Sequence, residues 1–387
     1  MWGNDIMRGV RAIVAVMVTA PFLVLAGCGG PTGTPANSGG ASAISQPRAG
    51  SLQAIPAHED RNYSRGLSLD GRLWLRGDGS LASLTLPGGV RKTHFADSVI
   101  DLAVSDGKPV VLRSLSLNPI DMDETLRPAG GRFVLSSWTG NGFKDSPPFE
   151  LPQMPRALIV IDGSPTVLSP HRMDIQGADG RWTSKPLQGE IRDHLAPEPP
   201  ILLAVDGLLY IGHDFGEWGG GLQRLDPKTG AVSEVEPRDS EGRCIGHLCS
   251  IPITGLIRSE DAPGCLLVST GLAHMVMQEG AIVRLCGDAV STVLEKAWTE
   301  QFPGGPVRQS EPFYGLAKGV AGESWILGFG VLYRFDGSRA VAVQIPELAK
   351  LGDVWVSHAI PDHMMVYYSP VASEPLGKPM PFLITRE

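Results

Sequence analysis

Beyond its first 27 residues the 387-residue sequence has no apolar run long enough to cross a membrane, and beyond Arg11 it has no block of Lys or Arg. The first absence excludes a later helical membrane span. The second leaves no basic footprint for phosphates, so no nucleic acid is expected as a partner, in keeping with a formal charge of -8. No HExxH, nucleophile elbow, phosphate loop, dinucleotide fingerprint or haem-attachment CxxCH occurs. Helical periodicity is scarce too, and only VLEKAWTEQF at 293–302 and IPELAKL at 345–351 read as short helices. Abundant are the residues of tight turns, 48 Gly and 32 Pro against only 19% charged residues, which predicts an all-β chain.

The N-terminus reads as an export signal. Arg8 and Arg11 precede AIVAVMVTAPFLVLAG, which is too short and too abruptly broken by Pro and Gly for a stable span. The run ends in Leu25, Ala26, Gly27 and Cys28, and this LAGC resembles the bacterial lipoprotein box. The resemblance implies a signal peptide over 1–27 and a lipidated Cys28 that holds the chain on a membrane surface, each buried methylene contributing roughly 0.8 kcal/mol. Gly29 after the Cys resembles lipoproteins sent to the outer membrane, which implies an outer-membrane location facing the periplasm. Residues 28–53 are rich in Gly, Ser, Pro and Ala with hardly a large apolar side chain, as expected of a flexible tether. The folded domain is then 54–387.

Without the leader, four of the five cysteines remain, an even number that favours disulfides in an exported chain. Local spacing favours Cys244 with Cys249 and Cys265 with Cys286, other pairings staying open. The competing use of Cys244, His247 and Cys249 as metal ligands lacks a second ligand pair at the usual spacing, so no metal site is expected. DMDE at 121–124 offers carboxylates to calcium without a known loop's spacing, which leaves calcium the one conceivable ion.

A repeat emerges when each turn is aligned with the strand after it: SLDGRLWL, VSDGKPVVL, VIDGSPTVL, AVDGLLYIG, SEDAPGCLLVS, VAGESWILG and IPDHMMVYYS. In each, an apolar strand enters a tight turn and a second apolar strand leaves it. The turns, near residues 70, 106, 162, 206, 261, 322 and 362, recur at a mean of about 49 residues, the period of a four-stranded propeller blade. The sequence thus predicts a seven-bladed β-propeller, with six blades as the rival count because 116–156 is irregular. LYIGHDFGEWGGGLQRLDPKTG and WILGFGVLYRFDG resemble the repeat of two-component-regulator-type propellers, which supports the same architecture. The last unit supplies three strands, so a strand from near Gln53 to Tyr63 is expected to complete it and remove two exposed edges. Trp74, Trp325 and Trp355 are read as packing between blades.

The sequence singles out IGHDFGEWGGGLQRLD at 211–226, where the second and third strands of the fourth unit connect. That connection lies on the face of a propeller where ligands most often bind. His213, Asp214, Glu217 and Trp218 are the candidate ligand-binding residues, with His274 from the corresponding connection of the next unit; the alternative is a wide glycine turn with solvated charges. No catalytic residue stands out. The leading functional expectation is a lipid-anchored envelope module that binds a protein, peptide or glycan. The alternative is a hydrolase or lyase of an envelope sugar or lactone, in which His213, Asp214 and Glu217 converge with ionisable groups of other blades.

Overall fold

The computed structural model describes residues 52–54, 65–77, 79–85, 91–115, 129–193, 199–274, 277–318, 322–329, 331–343, 354–360, 363–368 and 380–384, with the backbone alone at 52–54, 129, 246 and from 354 onward. The signal peptide, Cys28, all but the last residues of the tether, DMDE at 121–124 and the helix expected at 345–351 lie outside these residues.

The chain is an all-β propeller. Six antiparallel sheets follow one another, each built from one stretch of chain. Sheet 1 comprises Arg65–Leu69, Arg72–Gly77, Ser80–Thr85 and Arg91–Phe95, and sheet 3 comprises Ala157–Ile161, Ser164–Ser169, Arg172–Gln176 and Trp182–Pro186. Sheet 4 comprises Ile201–Val205, Leu208–Asp214, Gly220–Leu225 and Val232–Glu234, and sheet 5 Ile253–Arg258, Cys265–His274, Met277–Cys286 and Ala289–Leu294. Sheet 6 comprises Phe313–Lys318, Ser324–Gly328, Leu332–Phe335 and Ala340–Val343. Sheet 2 explains the irregular region of the sequence. Its strands Val99–Ser105 and Lys108–Ser114 are followed by the long Ala129–Trp138, whose outer edge is shared between Phe149–Gln153 and Phe143–Asp145.

A further four-stranded sheet joins both ends of the chain: Val354–Ile360, His363–Tyr368 and Met380–Ile384, completed by Leu52–Ala54 paired with Met380–Ile384. The completing strand overlaps the start of the segment expected to provide it. The first strand of this sheet lies against the first strands of sheets 6 and 1.

The turn chemistry behind the repeat is explicit in the backbone. Asp70–Gly71, Asp106–Gly107, Asp162–Gly163 and Asp206–Gly207 all have positive φ at both residues, the requirement of a type I′ hairpin turn that Asp and Gly tolerate. A one-residue slip would turn each core face to solvent, so these turns also set register.

The core sits between sheets, as a propeller requires. Trp74 of sheet 1 is buried and packs edge-on to Trp138 of sheet 2, ring centroids 5.0 Å apart. Leu112 and Phe133 meet Leu158 and Val167 between sheets 2 and 3, and Leu168 and Met173 meet Leu209 and Ile211 between sheets 3 and 4. Tyr210 and Leu222 meet Ile253 and Val268 between sheets 4 and 5, and Ile282 meets Phe313 and Ile326 between sheets 5 and 6. Trp74 thus packs between sheets as read from the sequence; Trp325 is only partly buried, and the side chain of Trp355 lies outside the described residues.

One expected helix is overturned. Residues 293–302 are not helical: Ala289–Leu294 is the outer strand of sheet 5, and Ala297–Phe302 pairs with Gly305–Ser310 in a separate hairpin. The β-branched and aromatic residues of the segment suit a pleated ribbon, and the following Pro303-Gly304-Gly305 supplies its turn.

Candidate functional site

Both expected disulfides are present, Cys244 with Cys249 and Cys265 with Cys286. The second joins residues directly opposite one another on neighbouring strands of sheet 5. The first closes a short loop in the link from sheet 4 to sheet 5, so its cysteines are not metal ligands, and His247 instead lies 3.5 Å from Glu279. Two disulfides fit a chain that matures in an oxidising compartment outside the cytoplasm. Among the described residues no group of three or more His, Cys, Asp or Glu is placed to hold a metal ion.

The glycine-rich stretch packs onto this disulfide loop. Phe215 leads into a single 3₁₀ turn, Gly216–Trp218, and the amide of Gly220 then donates to the carbonyl of Ser250 at 2.8 Å. A Cβ on Gly219 (φ +96°) would come within 2.7 Å of that carbonyl, and one on Gly220 would stand 2.6 Å from Cα of Pro252 while overlapping the carbonyl of His213. These glycines are needed because two backbones touch.

The candidate residues divide. His213 does not project from the loop. It is only 2% exposed, on the same strand face as Leu209 and Ile211, and its Nε2–H donates to Oε1 of Gln223 at 2.8 Å. The Gln223 amide donates in turn to the Glu190 carbonyl at 3.0 Å and to Glu234 at 2.7 Å, and Glu234 is clamped by Arg192 at 2.7 Å. Burial, reinforced by the positive charges of Arg192 and Arg156, holds the His213 imidazole down at about 4, against a smaller opposing effect of its bond to Gln223. At neutral pH it is an uncharged structural group.

Asp214 is exposed and accepts the amide of Gly216 at 2.9 Å. Its charge adds to burial in raising the hydroxyl pKa of Tyr314 of sheet 6, which stands near Phe329, just past the strand Ser324–Gly328, with ring centroids 6.4 Å apart. Glu217 and His274 do meet, across sheets 4 and 5, at 2.9 Å. Trp218 is 71% exposed. The three groups required by the enzymatic alternative therefore make different contacts: His213 with Gln223, Asp214 with the Gly216 amide and near Tyr314, and Glu217 with His274.

The sequence reading missed how many neighbouring elements build this face. The sheet 5 hairpin tip is tied to the inserted hairpin by the Gln278 amide, which donates to the side-chain oxygen of Gln309 at 2.6 Å, and by the Gly280 amide, which donates to Ser310 at 2.9 Å. The base of the inserted hairpin is held by Lys296, Glu311 and the buried Tyr333, whose hydroxyl donates to Glu311 at 2.8 Å. The result is a rim over sheets 4 to 6 that exposes Trp218, Met277, Trp298, Val307 and Phe329, five of the eight large exposed apolar side chains among the described residues. Only Pro303-Gly304-Gly305 signalled the inserted hairpin in advance.

Fold and rim together define a β-propeller with one elaborated face. The propeller is similar to extracellular domains of a candidate hybrid two-component system from B. thetaiotaomicron (TM-score 0.51, 11% identity) and of a candidate one-component system from the same organism (0.50, 10%). Each match covers 87% of this chain and 40% of the other. A chain of the mitotic checkpoint complex is similar over 94% of this chain and 100% of its own length (TM-score 0.52, 11% identity). At such identities the likeness concerns the fold alone. No family model matches the chain, and no curated protein matches it significantly.

Proposed function

We propose that this chain is a lipid-anchored, extracytoplasmic β-propeller of seven blades, the sheet joining both chain ends being the seventh, which binds a protein or peptide through the rim over sheets 4 to 6. The observation that carries this reading is the exposure of Trp218, Met277 and Phe329 at the second-to-third-strand connections of sheets 4, 5 and 6, and of Trp298 and Val307 on the hairpin tied to the sheet 5 tip. Exposed aromatic and Met side chains of this kind supply the anchors of protein interfaces. The loop bearing Trp218 leans on a disulfide-closed loop, so little ordering entropy is lost when a partner docks. LAGC and the Gly-, Ser- and Pro-rich segment after it support anchoring at Cys28 on the outer membrane, and the two disulfides support an extracytoplasmic site.

The test is cross-linking followed by co-purification of the anchored chain from membranes in mild detergent. A discrete partner is expected, and Trp218→Ser combined with Met277→Ser is expected to weaken its recovery at least tenfold while the melting temperature stays put. No recoverable partner, or equal recovery with the double variant, would overturn the rim as an interface. In the same fractionation Cys28→Ser is expected to move the protein from the membrane to the soluble fraction. A Cys28→Ser chain that stays with the membrane would remove the anchor from the proposal.

A further inference from the structure

The inner strands enclose a cavity of ≈ 370 Å³, within the range of small-molecule sites, roughly 300–1,000 Å³. It is separate from the rim and uses none of its side chains. Its described walls are mostly apolar, with Leu67, Ile201, Leu203, Leu256, Ile257 and Leu316 among them. Among the described residues the charged side chains of that lining are Arg65, Arg258 and Lys318, with no Asp or Glu.

The three cations differ in what balances them. Arg65 is paired with the buried Asp101 at 2.6 Å, and Lys318 lies 2.5 Å from Glu260, outside the lining. Arg258 donates to the carbonyl of Ala204, a neutral acceptor, and no carboxylate among the described residues pairs with its guanidinium. Arg258 and Lys318 are the last residues of the inner strands of sheets 5 and 6, which lie side by side; the Arg258 side chain reaches sheet 4, and that of Lys318 is taken up by Glu260. A guanidinium fork that has no carboxylate partner among the described residues suits a ligand carboxylate, and the aliphatic walls suit an apolar body.

We infer that this cavity binds a small organic carboxylate with an apolar body, the carboxylate held by Arg258 and the body lying against the leucine and isoleucine walls. Neutral or cationic compounds of the same shape lack the ion pair, and cations are repelled.

Calorimetric titration of the chain from residue 28 onward, carrying Cys28→Ser and both disulfides, tests this with octanoate below its aggregation concentration. Octanol and octylammonium serve as matched controls. Saturable one-site binding of octanoate is expected, with octanol at least tenfold weaker and octylammonium silent. Arg258→Gln is expected to weaken octanoate at least tenfold, and Leu203→Phe, which enlarges a partly exposed apolar side chain of the lining without touching a charge, to weaken octanoate and octanol alike. Melting curves establish that each variant is folded. The inference is overturned by the absence of saturable octanoate binding to the folded parent, by equal binding of octanol and octanoate, or by unchanged affinity in folded Arg258→Gln.

Discussion

The protein is expected to lose stability steeply as the pH falls from about 6.5 towards 4, and His213 is the main reason. Its imidazole is held at about 4 in the folded state, against roughly 6.5 in an unfolded chain. A depressed folded-state pKa means that the unfolded chain takes up the proton first. The stabilisation is therefore complete above the unfolded value and disappears as the pH drops to the folded one. At ~1.4 kcal/mol per pH unit the full effect is about 3 kcal/mol, of which about 2 kcal/mol falls between pH 7.5 and 5. The cost of protonation is concrete: a charged ring would sit in a 2% exposed site facing Arg192 and Arg156.

His94 adds to the same trend. Burial, with Lys92 and Arg72 nearby, holds it down at about 4, beside the rings of Trp74 and Trp138, although it is more open to solvent. Denaturant unfolding of the wild type and His213→Gln at pH 7.5 and 5 separates the two histidines. Gln keeps a donor for Gln223 and does not titrate, so the variant is expected to lose about 2 kcal/mol less than the wild type over that interval. Equal losses in both proteins would show that His213 does not carry the acid sensitivity.

The burial of His213 was legible in its strand, though the reading from glycines and charges passed over it. Leu209, Ile211 and His213 alternate at the period of a strand, and Leu209 and Ile211 belong to the core between sheets 3 and 4, so His213 shares their face. Gln223 sits diagonally across from it on the paired strand, within reach of a long side chain. Glu190 and Arg192, which complete the network, come from the link between sheets and follow no local period. The Asp-Gly turns and the Cys pairs were readable because each depends on residues close in sequence. The Glu217–His274 pair and the inserted hairpin depend on how neighbouring sheets stack, which the chain sets only after it has folded. The segment 293–302 was misread because spacing outweighed the Pro303-Gly304-Gly305 turn that follows it.

The second large effect is expected at Asp101, which ties three sheets together around the axis. Its carboxylate is fully buried and accepts from Arg65 of sheet 1 at 2.6 Å, from the amide of Leu102 on its own strand at 2.8 Å and from the amide of Leu158 of sheet 3 at 2.7 Å. Burial pushes its pKa up, against Arg65 and the two amides, which pull it down. Holding a charge here is costly, and two of the three donors that offset the cost, Arg65 and the Leu158 amide, lie on adjacent sheets, so the carboxylate is fully satisfied only when those sheets are assembled. Asp101→Ala removes the acceptor from two backbone amides and from Arg65, which is only 21% exposed, and is expected to destabilise the protein by about 3 kcal/mol. Arg65→Ala alone leaves the carboxylate buried without its counter-charge and is expected to cost a similar amount. Because both substitutions break one interaction, the double variant should be less destabilised than the sum of the singles by at least about 1 kcal/mol in denaturant unfolding. Additive losses would mean that Asp101 acts through its backbone bonds alone, and a loss below about 1 kcal/mol for Asp101→Ala would remove it as the tie between sheets.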